Sequence, residues 1–131
     1  MPYTVTTTVF PEVHILSPKV FGDQRGYFFE SFNKKDFQKA TGLDVEFVQD
    51  NHSRSVKGVL RGLHYDDKTW KLVNCIHGKI YLVVLDLRPK QPNFGKWESF
   101  ILSPETSTQV LIPPGFANGH YVMEDNSVFY Y

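Results

Sequence analysis

The amino-acid sequence predicts an all-β domain, a sandwich, jelly roll or barrel carrying one short helix, and three observations lead there. β-Branched and aromatic residues crowd into the short segments VEFVQ, KLVNCI, KIYLVVLDL, WESFILS, TQVLIP and SVFYY. Turn signals part them, at His77-Gly78, Arg88-Pro89, Ser103-Pro104 and Pro113-Pro114-Gly115. Only one segment, Asn33 to Gly42, has a helical pattern, which leaves the chain without the helical crossovers that a parallel sheet needs. At 131 residues the chain has the length of a single domain, residues 1–131, and can bury a core without metal or disulfide staples.

The elements follow in order. VFGDQRGYFFESF, residues 20–32, opens on a tight turn that carries Arg25. It then alternates Tyr27, Phe29 and Ser31 against Phe28, Glu30 and Phe32, the pattern of an aromatic core strand. In the helix, Asn33 suits the N-cap, Phe37 and Ala40 share a face, and Gly42 suits the position just past the end. FVQDNHSRS, residues 47–55, is dense in side-chain donors and acceptors, as ordinary loops also are. Beyond His77-Gly78, alternation sets Ile80, Leu82, Val84 and Asp86 on one face and Tyr81, Val83, Leu85 and Leu87 on the other. Both faces are largely apolar, which places this strand mid-sheet in a sandwich with room for a cavity, where small ligands bind in such folds.

Several function classes find no support. Fourteen basic side chains balance fourteen acidic ones, so no global field draws the chain to nucleic acid or an anionic membrane. No run of eighteen apolar residues and no leader-like N-terminus occurs, and the lone Cys75 lies in an apolar run, so a soluble protein of a reducing cytoplasm is expected. The five histidines, His14, His52, His64, His77 and His120, form neither an HxH pair nor HExxH, so no metal is expected. Phosphate-loop, dinucleotide and serine-hydrolase motifs are missing as well.

The densest chemistry is RGLHYDDKTWK, Arg61 to Lys71. Strict alternation puts Arg61 and His64 on opposite faces, and only a bend or bulge, for which Gly62 is suited, lets them share a site. Read alone, the segment is better explained as an exposed arginine and a strand histidine satisfied by a backbone carbonyl. In a partly dry pocket the imidazole of His64 suits a general base, and Lys71 suits stabilisation of a developing oxyanion. An acid on the opposite side is then wanted, and the terminal FYY offers Tyr130 and Tyr131.

Taken together, PKVFGDQRGYFFESFN, FVQDNHSRS, KGVLRGLHY, KLVNCIHGKI, LDLR, PNFGKW and IPPGFANGH resemble, in order and approximate spacing, the dTDP-4-dehydrorhamnose 3,5-epimerase family. The resemblance spans nearly the whole chain. It implies a cupin-like double-stranded β-helix or jelly roll, no cofactor, and a homodimer whose N-terminal strands pack on the partner. The implied substrate is a nucleoside-diphosphate 4-keto-6-deoxysugar, epimerised at carbon 3, carbon 5 or both. By analogy His64 is the base, Tyr131 the acid, and Lys71 lies by the keto oxygen. Arg61 meets the diphosphate with Gln49 and Asn51 nearby, and Arg25, Phe28 and Glu30 reach the nucleotide. Three departures stand out. Asn118 replaces a histidine, with His120 two residues on; Leu82 replaces an aspartate; and the family continues past the position of Tyr131 with an aspartate that orients the histidine, a role left to Asp66, Asp67 or another residue. NGHYV, VFYY and Leu82 also look like a branch acting on GDP-4-keto-heptoses. A 3,4-ketoisomerase and a non-catalytic nucleotide-sugar-binding cupin are the remaining alternatives.

Overall fold

Residues 2–131, which the computed structural model describes, form twelve strands and one helix, as an all-β chain with a single short helix requires. Met1, the first residue of the expected domain, lies outside them. The elements are β1 (Tyr3–Thr7), β2 (His14–Pro18), β3 (Val20–Asp23), β4 (Gly26–Phe29), α1 (Lys34–Thr41), β5 (His52–Ser55), β6 (Leu60–Tyr65), β7 (Lys71–His77), β8 (Ile80–Asp86), β9 (Trp97–Leu102), β10 (Gln109–Ile112), β11 (Phe116–Val122) and β12 (Ser127–Tyr130). One sheet runs β1-β2-β10-β7-β12-β5 and a second runs β6-β11-β8-β9, while β3 and β4 pair only with each other.

Alternation builds the core between the two sheets. Val73 and Cys75 of β7, Val110 and Ile112 of β10 and Phe129 of β12 meet Ile80, Leu82 and Val84 of β8 and Phe100 of β9. Each such side chain, fully buried, contributes about 1.5–3 kcal/mol. The opposite face of the six-stranded sheet carries a second core, where Leu16 and Leu111 pack with Phe37 of α1 and Val45. The helix ends as its sequence dictates. The Asn33 side chain accepts the Asp36 N–H at 3.1 Å, and Gly42, at φ 72°, donates its N–H to the Gln38 carbonyl at 2.8 Å.

The structure corrects three expectations. VEFVQ is not a strand: Val45 and Phe47 turn onto the helix-side core, with Phe47 edge-on to Phe37 at 5.5 Å, so this segment gains its burial from side chains and has no strand neighbour. The aromatic strand β4 is not core, because its only partner is β3; Tyr27 and Phe28 are 58% and 64% exposed on a projecting hairpin. β8 does lie mid-sheet, but only the Ile80–Leu82–Val84–Asp86 face is fully buried. Its other face, with Leu63 and Trp97, lines an open apolar groove of about 340 Å³. An open cleft of about 920 Å³ lies alongside the helix-side core, lined by Val45, Phe47, Trp70 and Leu72 together with Lys71 and Tyr131.

Candidate active site

The parity of Arg61 and His64 is resolved by the backbone. β6 pairs with β11 so that His64 lies opposite Asn118 and Arg61 opposite His120, which sets two residues, Gly62 and Leu63, against the single Gly119. Gly62 has φ 114°, and a Cβ there would fall 2.6 Å from the Gly119 Cα. A Cβ on Gly119 would fall 2.9 Å from the Arg61 carbonyl oxygen. Two facing glycines thus make room for the bulge that turns Arg61 and His64 to one side. On its other edge β11 sets Asn118 beside Val84 and His120 beside Leu82, so these polar side chains share the inward face of the four-stranded sheet.

Three contacts tie that face to the six-stranded sheet. Lys71 Nζ, on β7, donates to Asn118 Oδ1 at 3.1 Å and lies 5.7 Å from the centre of the Tyr131 ring. Arg61 Nε donates to Ser55 Oγ, on β5, at 3.0 Å. The His120 ring stacks on Phe129 of β12, centroids 4.1 Å apart, and Phe129 in turn meets Tyr131 at 5.3 Å. Tyr131 is pinned by its backbone, which exchanges two hydrogen bonds with Asn51, at 2.6 and 2.9 Å. Gln49 Nε2 donates to Asn51 Oδ1 at 3.0 Å. Gln49, Asn51, Lys71 and Tyr131 line the large cleft, whereas Arg61 and His64 are exposed on the facing sheet and are not part of its wall.

The electrostatics follow from burial. Desolvation lowers the Lys71 ammonium below its ordinary pKa, and Asp66 only partly opposes this. Burial, then the charges of Arg61 and His64, push His120 down to about 4, so its imidazole is neutral at neutral pH. Asp66 is not the missing partner of His64. Its Oδ1 accepts the Lys68 and Thr69 N–H groups at 2.6 and 2.9 Å and so caps the turn before β7. Among the described residues no carboxylate is hydrogen-bonded to His64, and no group of three or more His, Cys, Asp or Glu side chains is placed to hold a metal ion.

Of the residues singled out in the sequence, the fold joins Lys71, Asn118 and Tyr131, sets His64 and Arg61 opposite Asn118 and His120 in the β6–β11 register, and places Gln49 and Asn51 beside Tyr131. It does not bring Arg25, Phe28 and Glu30 to them within one chain. The Arg25 side chain is 84% exposed and pairs with Asp23 at the hairpin turn. Sequence reasoning missed Ser55, Phe129 and Gly119. A serine closing a polar alternating strand, an aromatic among aromatics and a glycine beside NGH gave only weak signals, and the bulge that gives them meaning is a property of two paired strands.

Comparison with known proteins decides the family. A family model described as dTDP-4-dehydrorhamnose 3,5-epimerase matches residues 7–131. The chain belongs to the dTDP-4-dehydrorhamnose 3,5-epimerase family. Within it, the Shigella flexneri enzyme of that name is 52% identical over 130 residues, covering 97% of this chain and 72% of the relative. The Legionella pneumophila dTDP-6-deoxy-D-glucose-3,5-epimerase, solved with dTDP-4-keto-L-rhamnose, superposes with a TM-score of 0.93 at 44% identity, over 98% of this chain and 69% of that one. The Bacillus anthracis epimerase with TDP and pyrophosphate bound gives 0.92 at 39% identity, over 98% and 75%. These family members share the two-sheet fold, and the cupin-like architecture implied by the sequence motifs is the one observed.

Proposed function

We propose that this chain is a cofactor-independent isomerase that inverts carbon 3, carbon 5 or both of a dTDP-4-keto-6-deoxysugar. The observation that carries the reading is the bulge opposite Gly119, since it turns His64 and Arg61 toward the same side as Asn118, whose side chain holds Lys71 beside Tyr131. The ketone at carbon 4 acidifies the protons on its neighbours. His64 removes one, Lys71 stabilises the enolate oxygen, and Tyr131 returns a proton from the opposite side. Arg61 takes the diphosphate, with Gln49, Asn51 and His120 completing the binding surface. The names of the relatives favour a thymidine nucleotide over the GDP-heptose reading.

In D2O, incubation with dTDP-4-keto-6-deoxyglucose is expected to place deuterium at the inverted carbons. His64→Asn should slow this by about 10²–10⁴-fold, as loss of a general base does. Tyr131→Phe should retain abstraction but hinder inversion. Binding of the nucleotide sugar with no exchange in the parent chain would convert the reading to that of a binding module, and exchange with a GDP-4-keto-heptose alone would convert it to the other branch.

The reading includes a homodimer working in the cytoplasm. The β3–β4 hairpin is paired with nothing else and displays exposed Phe21, Tyr27 and Phe28, the form of an arm that packs on a second copy and carries Arg25, Phe28 and Glu30 to its site. No helix among the described residues is long and apolar enough to cross a membrane.

A further inference from the structure

We infer that Asn118 is a positioning residue, one that anchors the Lys71 ammonium across the two sheets without neutralising it. The inference deepens the proposed reaction, in which Lys71 faces the developing enolate. Asn118 is 4% exposed, and its oxygen accepts from Lys71 Nζ at 3.1 Å. The other contact of the ammonium is the face of the Tyr131 ring, and the strand next to Asn118 presents the alkyl side chains Leu82 and Val84. Neither contact carries a charge. A carboxylate at position 118 would bind the ammonium more tightly and cancel the field that a new oxyanion must feel. An amide fixes the same geometry and leaves the charge for the substrate.

Arg61 is held in the same manner, by the neutral hydroxyl of Ser55. Among the described residues neither cation has an ion pair. The titratable and charged groups around Lys71 are Asp66 in the preceding turn, Tyr131 after β12, and, across Asn118, His64 and His120 on the facing sheet; Asp66 caps the turn through its Oδ1, makes no ion pair with Lys71, and offsets only part of the cost of burying the ammonium. This arrangement also gives a reason for the asparagine at a position where the sequence motifs lead one to look for histidine. An imidazole can take up a proton and become a second cation beside the ammonium, whereas the amide stays neutral and keeps its oxygen as an acceptor.

The test is a substitution of nearly identical shape. Asn118→Asp retains the acceptor, so a merely structural role makes it the mildest change available. The charge-sparing role makes it worse than Asn118→Ala. Two readouts apply to each folded variant: the rate of deuterium exchange into dTDP-4-keto-6-deoxyglucose, and the titration of Lys71 followed by competitive acylation and mass spectrometry. Asn118→Asp is expected to raise the Lys71 midpoint by about one pH unit or more and to lower kcat at least about tenfold with KM little changed. Asn118→Ala should lower kcat without raising that midpoint. An Asn118→Asp chain that turns over like the parent, or whose Lys71 midpoint does not move, overturns the inference. If the parent exchanges no deuterium, the epimerase reading falls instead, and the Lys71 midpoint in the two variants still decides whether Asn118 holds the ammonium without neutralising it.

Discussion

His120 is a buried imidazole stacked on Phe129, and its pKa of about 4 gives it a measurable signature. The folded state resists protonating it, whereas the unfolded chain takes up that proton near its ordinary value of 6.5. Stability is therefore complete above that value and declines as pH falls toward 4, by on the order of 3 kcal/mol over the interval. Urea melts at pH 7 and pH 4.5 should show this loss in the parent and a clearly smaller one in His120→Gln. An equal slope in both would mean that other groups carry the acid sensitivity. Asp86 adds its own loss only at lower pH. Its burial alone would raise the carboxyl, but the hydrogen bonds from Arg88 outweigh that and hold it below the ordinary value, so its contribution disappears as pH drops through a still lower range.

At the scale of the element, β6 governs the site. Because Gly119 faces the bulge with a Cβ position only 2.9 Å from the Arg61 carbonyl, Gly119→Ala must displace β6 or flatten it. The expected result is loss of deuterium exchange together with a stability loss of about 1–3 kcal/mol, typical of overpacking. A fully active Gly119→Ala would show that the close approach has slack. Deletion of Gly62 is the complementary case, since one residue fewer opposite Gly119 restores a regular ladder with Arg61 and His64 still on one face. Such a chain should melt no lower than the parent yet exchange more slowly, because the local twist of the bulge is gone. How much of this the sequence discloses depends on periodicity. The α1 caps, the turns and the inward face of β8 are legible because each rests on neighbouring residues. The need for an irregularity at Gly62 is also legible, from the clash between spacing and chemistry. That VEFVQ packs on a helix, that β4 projects, and that Ser55 reaches Arg61 depend on partners distant in the chain, which periodicity does not encode.

At the scale of the whole molecule, the proposed homodimer makes a sharp prediction. A chain bearing Arg25→Ala and another bearing His64→Asn should each be nearly inactive alone. If the hairpin serves the partner's site, random mixing creates dimers with one intact site, and activity recovers to about a quarter of the parent's. If the hairpin serves its own chain, mixing recovers nothing. The placement of the gathered residues has another outcome. His64 belongs to the four-stranded sheet, whereas Lys71 belongs to the six-stranded one and Tyr131 follows directly on its strand β12. In the proposed reaction the span between His64 as proton acceptor and Tyr131 as proton donor is then the thickness of the sandwich, about 10 Å in such folds, and that thickness is set by the volume of side chains such as Val73, Val84 and Phe100. On that proposal, apolar residues that never meet a substrate act as the spacer between the two halves of the reaction, and hydrophobic packing becomes a kinetic parameter.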